Sequence, residues 1–296
     1  MTDTLYSINC LVAATDFSTI GDAAVMRAAL IAQNANKTLH LLHVVHPLDI
    51  YPELMLTLDT HVKDYQRLKQ ANGIESLDKL ASQIRKEFGI KVVTASRIGR
   101  SHVQIAEYAK SESADLLVVG YGGENNILDT VMGSTAFRLL GSVTCPVLIV
   151  KNAKVAPYKE VIASVDLSSL SDDVVASALT IAPAAHVEVL HIFDLKQETL
   201  SREVGTSDAD IKKYRDISLE HIDKELERLQ SKQGSKRLSN MVVNGYLPES
   251  ICSRVETLGA DLIVLGKHNK SSLQEFVFGS VSKTVANMVD CDVFLT

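Results

Sequence analysis

The sequence predicts an α/β protein made of two copies of one doubly wound, five-stranded parallel-sheet domain. Three observations carry this: an internal repeat, short apolar runs alternating with segments of helical period, and glycines where an apolar run stops. The repeat is the strongest. Leu11-Val12-Ala13-Ala14-Thr15-Asp16-Phe17-Ser18 returns as Val161-Ile162-Ala163-Ser164-Val165-Asp166-Leu167-Ser168, and Leu41-Leu42-His43-Val44 as Val189-Leu190-His191-Ile192. Ala114-Asp115-Leu116-Leu117-Val118-Val119-Gly120 returns as Ala260-Asp261-Leu262-Ile263-Val264-Leu265-Gly266, Gly133-Ser134 as Gly279-Ser280, and Cys145-Pro146-Val147 as Cys291-Asp292-Val293. The offset drifts only from 150 to 146 residues, so a whole globular unit is duplicated. A solenoid would repeat every ~20–50 residues. The copies occupy 1–152 and 157–296, joined near Asn152 to Pro157.

Each copy reads β-α-β-α-β-α-β-α-β. Leu11 to Ala14 opens it as a strand, and Ser18 and Ser168 then stand near an N-cap before Ala-rich helical segments. The second strand holds Leu41 to Val44. Ile74, Leu77, Ala81, Ile84 and Phe88 fall at steps of three and four, one face of the second helix; Ile222, Leu226 and Leu229 do the same in the other copy. Gly89 and Gly234 follow as helix stops. The next apolar run, Leu116 to Val119, ends in Gly120, and Val147 to Val150 closes the copy. Near-continuous apolar strands between helices imply a parallel sheet covered on both faces. In such sheets ligands bind beyond the carboxyl ends of the strands, at the switch in strand order. Asp16, Val44 and Gly120 should therefore meet at one crevice.

Bulk composition narrows the function. A net charge of −6 without a basic run argues against nucleic acid or an anionic membrane as the main partner. Cys10, Cys145, Cys252 and Cys291 are scattered, as expected of buried thiols in a reducing compartment. The first residues lack a basic-then-apolar leader, and no apolar run approaches the ~18 residues a membrane helix needs. A cytoplasmic location is expected.

Gly120-Tyr121-Gly122-Gly123, followed after nine residues by Gly133-Ser134, carries the chemistry. Glycine lets backbone N–H groups approach an anion without a Cβ in the way, and a helix N-terminus adds unpaired donors and a favourable dipole. The bland alternative is a tight strand-to-helix turn with no ligand, which needs one or two glycines and not four. For Asp16 the bland alternative is a turn or cap carboxylate.

Taken in order and twice over, these elements resemble the universal stress proteins in their tandem form, whose domains are Rossmann-like and similar to adenine nucleotide alpha hydrolases. The resemblance rests on Asp16 and Asp166, on His43-Val44 and His191-Ile192, on Gly99 and Gly245 before the third helix, on the Ala-Asp-Leu-[Leu/Ile]-Val-x-Gly strand, and on the Gly-Ser helix start. ATP-binding members carry Gly-x2-Gly-x9-Gly-[Ser/Thr], which the first copy matches at Gly120, Gly123, Gly133 and Ser134. The resemblance implies that Thr15 and Asp16 hold the adenosine end and that main chain near Val44 bonds the adenine edge. Gly120, Gly123, Gly133, Ser134 and Thr135 would then cradle ribose and phosphates, with Mg²⁺ as the companion of ATP. In the second copy the corresponding set is Asp166, Ile192, Gly266, Asn269, Gly279 and Ser280, so Asn269 stands where the second glycine belongs. Lys267 and Lys270 flank it as possible compensating charge. The resemblance also implies an internal pseudo-dimer, with Val147–Val150 and Val293–Leu295 paired across a dyad, and a homodimer of the tandem chain.

Other features take blander readings. His40, His43 and His46 have a metal-like spacing, but side chains alternate along a strand, so His43 is expected to be packed and satisfied by backbone. Lys63 to Lys69 and Lys212 to Arg215 read as solvated helix faces, and Tyr65 and Tyr214 as packing residues. No G-x-x-x-x-G-K-[S/T] loop, G-x-S-x-G elbow or general base is assignable. Three functions stay open: an ATP-binding stress-response module, a nucleotide-free interaction protein, and a slow ATPase.

Overall fold

The structure is a computed structural model describing residues 6–47, 52–122, 132–194, 206–266 and 279–296, with 52–61 described by backbone alone. These residues fall into two compact units, one of 7–156 and one of 157–266 with 279–296, to which Tyr6 also belongs.

The first unit runs β1 (Cys10–Ala14), α1 (Thr19–Ala35), β2 (Thr38–Val45), α2 (Pro52–Phe88), β3 (Val92–Ile98), α3 (Ser101–Ser111), β4 (Leu116–Gly120), α4 (Ser134–Leu139), β5 (Val147–Val150). Its strands lie in the order β3-β2-β1-β4-β5, all parallel. The chain travels outward from β1 to β3 and then crosses back to β4, so strand order reverses between β1 and β4. The second unit repeats the plan: β6 (Glu160–Ser164), α5 (Ser171–Ile181), β7 (His186–Asp194), α6 (Asp208–Gln233), β8 (Leu238–Gly245), α7 (Leu247–Leu258), β9 (Leu262–Leu265), α8 (Ser280–Met288), β10 (Asp292–Leu295). Its order is β8-β7-β6-β9-β10, again parallel.

The central strands are apolar on both faces because helices cover both. Leu11, Val12, Ala13, Leu116, Leu117, Val118 and the whole of β5 are fully buried. The edge strands β3 (VVTASRI) and β8 (LSNMVVNG) mix polar residues into the pattern. Asp115 Oδ2 accepts the backbone N–H groups of Asn9 (2.7 Å) and Cys10 (3.0 Å), and Asp261 does the same for Lys159 (2.7 Å) and Glu160 (3.1 Å). The repeated Ala-Asp-Leu thus pins the start of β1 and of β6, a structural role.

Caps follow local chemistry. Ser18 caps α1 by accepting the Gly21 N–H, Ser207 caps α6 by accepting the Asp210 N–H, and Gly89 and Gly234 turn left-handed just past their helices. One apolar register differs from expectation. Leu77, Ala81 and Ile84 are fully buried, but Ile74 is 44% exposed. Gly73 takes the inward place, because a Cβ there would lie 2.7 Å from Cδ2 of His43. The His43 ring fills the space that an apolar side chain would need.

Candidate functional site

A crevice of about 740 Å³ opens at the carboxyl ends of β1, β2 and β4 in the first unit. Thr15, Asp16, Val44, Gly120, Gly133, Ser134 and Thr135 line it together. Gly123 lies outside the described residues.

The floor is a strained turn. Asp16 Oδ1 accepts the N–H (3.1 Å) and the hydroxyl (2.6 Å) of Ser18, while Thr15 Oγ1 accepts the Phe17 N–H (2.9 Å) and donates to Asp22 (3.2 Å). These bonds hold Phe17 at φ +64°, a conformation that costs a side-chain-bearing residue ~1–2 kcal/mol. The Phe17 ring lies on the His43 ring with centroids 4.5 Å apart. Burial pushes the Asp22 carboxyl up; the Thr15 bond opposes that and the nearby Asp16 adds to it. Asp16 is therefore both a turn carboxylate and part of the crevice wall, so neither reading of it excludes the other.

Beside the turn, the Thr15 N–H donates to the Leu42 carbonyl (3.0 Å), the last rung between β1 and β2. Peptide edges of a strand alternate between its two neighbours. Val44 is in phase with Leu42, so its N–H and C=O face the space beyond the end of β1. His43, on the opposite phase, places Nδ1 2.9 Å from the Thr15 carbonyl. A carbonyl only accepts, so Nδ1–H donates, and His43 is packed and backbone-satisfied as expected. His40 turns to Tyr108 (3.1 Å) and His46 to the Pro47 carbonyl (2.9 Å). No group of three or more metal-ligating side chains converges among the described residues.

The far wall comes from β4 and α4. A Cβ on Gly120 would sit 2.9 Å from Ile20 Cγ2 and 3.2 Å from the Ile20 carbonyl oxygen, so glycine lets the first turn of α1 approach the strand end. The Gly133 N–H donates to the Tyr121 carbonyl (2.8 Å) and places the start of α4 beside β4. Gly133 caps α4 without a side chain, which leaves the first-turn N–H groups without a side-chain acceptor. Burial, then Arg138 and then Arg100, push the His102 imidazole down. Arg100 is the N-cap residue of α3 and Arg138 lies in the last turn of α4, so both cations act at the first turn of α3, whose Ser101 lines the crevice.

Sequence reasoning missed the fourth wall. Tyr65, Lys69, Asn72 and Ser76 project from α2 at i, i+4, i+7 and i+11 and line the crevice. Lys69 Nζ lies 5.6 Å from the Tyr65 ring centre. Tyr65 is 42% exposed and faces the crevice, which corrects its assignment as packing. The polar stripe is visible in the sequence, but only the placement of α2 separates a binding wall from a solvated face. Tyr214 is also exposed.

The second unit repeats the frame. Asp166 Oδ1 accepts the Ser168 N–H (3.0 Å), Leu167 is left-handed at φ +59°, and the Val165 N–H donates to the Leu190 carbonyl (2.9 Å), which puts Ile192 in the phase of Val44. His191 Nδ1 lies 3.0 Å from the Val165 carbonyl. A Cβ on Gly266 would sit 3.1 Å from Val174 Cγ2, and Gly279 caps α8 ahead of Ser280. Asn269, Lys267 and Lys270 lie outside the described residues.

Two doubly wound α/β units in tandem, each with a left-handed turn after its first strand and a glycine-started helix after its fourth, define the class of this protein. The family model described as the universal stress protein family matches the chain twice, over residues 9–151 and 157–296. The chain belongs to the universal stress protein family. It is similar along its length to universal stress protein Rv2623 of Mycobacterium tuberculosis, 24% identical over 289 residues, covering 96% of this chain and 95% of that one. Universal stress protein MJ0531 of Methanocaldococcus jannaschii is 30% identical over 144 residues, covering 49% of this chain and 82% of the relative. Among solved structures, a universal stress protein from Archaeoglobus fulgidus superposes with a TM-score of 0.67 at 19% identity, covering 97% of each chain. No helix of the described residues is long and apolar enough to cross a membrane.

Proposed function

We propose that the first crevice binds ATP with Mg²⁺ and that its occupancy tunes the protein's stability or its affinity for a partner. The observation that carries this is convergence: seven residues chosen from three distant stretches of sequence line one crevice at the switch in strand order. The Val44 peptide edge offers a donor and an acceptor side by side, as an adenine edge requires. Asp16 stands at the ribose position. The start of α4, whose first-turn N–H groups meet no cap side chain, favours the phosphate end. Tyr65 and Lys69 add an aromatic face and a cation opposite.

Binding to the folded state alone stabilises it by ~2.7 kcal/mol at a ligand concentration of 100 Kd. For a domain of this size that raises Tm by roughly 5–10 °C. Thermal unfolding titrated with ATP and Mg²⁺ should show this rise, and Asp16→Ala should abolish it. An unchanged Tm at millimolar nucleotide would sink the proposal and favour a nucleotide-free interaction protein.

A further inference from the structure

The opposite end of the second sheet carries a side-chain relay that the nucleotide reading does not use. Glu160 and His186 start β6 and β7 and Ser239 is the second residue of β8, with Glu160 the cross-strand partner of His186 and Ser239 that of Glu188, two residues on. All three side chains therefore share one face of the sheet. His186 Nδ1 lies 2.8 Å from Glu160 Oε2, and His186 Nε2 lies 2.9 Å from Ser239 Oγ. A carboxylate only accepts, so Nδ1 carries a proton, and in the neutral imidazole Nε2 is then the acceptor of the Ser239 hydroxyl. That is a nucleophile bonded to a base which a third group orients.

The relay is reachable, with the His186 and Glu160 side chains 41% and 38% exposed. On the same face, Glu188, the cross-strand partner of Ser239, is held by the Arg254 guanidinium in a bidentate pair (Nε to Oε1, 2.7 Å), so its charge is balanced beside the relay. The fold does not require the relay. The first unit builds the corresponding register positions from Cys10, Thr38 and Val93, which make no such chain.

We infer that Ser239, His186 and Glu160 form an acyl-transfer site that hydrolyses small activated esters. Ser239 Oγ attacks the ester carbonyl carbon, and its proton passes to His186 Nε2. The bond from that carbon to the alcohol oxygen breaks, and the departing oxygen takes the proton from Nε2. Water then attacks the acyl-serine, giving a proton to Nε2, and the carboxylic acid leaves as Ser239 Oγ recovers it. Glu160 is a positioning residue that fixes the imidazole tautomer.

The test is labelling of the full chain by diisopropyl fluorophosphate, read by intact mass and peptide mapping, beside turnover of p-nitrophenyl acetate. In labelling, the Ser239 oxygen–phosphorus bond forms and fluoride leaves. One adduct on Ser239 is expected, absent in Ser239→Ala at an unchanged unfolding midpoint. His186→Gln should slow turnover at least ~100-fold, the lower range for a positioned general base. Glu160→Gln should lower kcat with KM unchanged, and Glu160→Asp should recover part of it. No adduct, an adduct that survives Ser239→Ala, or turnover no faster than buffer would overturn the assignment. Equal kcat in Glu160→Gln and the parent would overturn the positioning role.

Discussion

At the scale of single residues, the crevice is shaped by a few atoms that leave no room for alternatives. Gly120 faces Ile20 at distances no real Cβ tolerates comfortably. Gly120→Ala should therefore push α1 away from β4 and lower stability by ~1–3 kcal/mol, read as a lower urea midpoint with unchanged slope. The two histidines after Leu42 and Leu190 are frame residues, each bonded to a backbone carbonyl. Burial pushes the His191 imidazole below its usual 6.5, against the opposing Val165 bond and Asp166 charge. A depressed folded pKa means that the unfolded chain binds the proton more readily. The contribution is thus complete above about pH 6.5 and is lost as pH falls from there through the folded value. His191→Asn should flatten that acid-side decline in urea midpoints measured from pH 8 to 5; an unchanged decline would refute the linkage. Phe17 and Leu167, the left-handed pair, carried no sequence signal because both are residues that ordinarily avoid that conformation.

At the scale of elements, local rules reported the caps and missed the facing. Ser18 before an Ala-rich run, and Gly89 and Gly234 after apolar stripes, were readable because capping depends on neighbours in sequence. Ser18 does two jobs, since its oxygen accepts from Gly21 (3.1 Å) and its hydroxyl donates to Asp16 (2.6 Å). Ser18→Ala should cost ~1 kcal/mol of unfolding free energy and also weaken ATP binding by freeing the Asp16 turn. Ser18→Thr, which keeps the hydroxyl, should retain most of both. In α2 the helical period was right and its phase slipped at Ile74, because the neighbour that decides the phase, His43, is thirty residues away. From sequence, Lys63 to Lys69 reads as a solvated helix face; that Tyr65, Lys69, Asn72 and Ser76 line the crevice depended on which element lay opposite α2.

At the scale of the whole molecule, duplication set two equal frames and sequence drift made them unequal. The left-handed turn, the backbone-bonded histidine and the glycine-started helix recur in both units. Asn269 in place of a second glycine, and a Ser–His–Glu relay in one unit only, do not recur. On the proposed reading, calorimetry should give about one ATP per chain, lost in Asp16→Ala and kept in Asp166→Ala; two equal sites would refute the asymmetry. The sequence by itself determined the two-unit plan, the strand and helix order, the caps and seven lining residues. Periodicity, glycine and serine chemistry and the repeat fix the plan, the caps and the glycine-led lining, while Thr15 and Thr135 entered through the resemblance to the universal stress proteins. The tertiary structure alone decided that α2 supplies the fourth wall, that Arg138 from the end of α4 comes to His102 at the start of α3, and that Glu160, His186 and Ser239 touch. Each of these joins residues from different strands or helices, and their meeting depends on parallel register, about which a linear pattern carries no information.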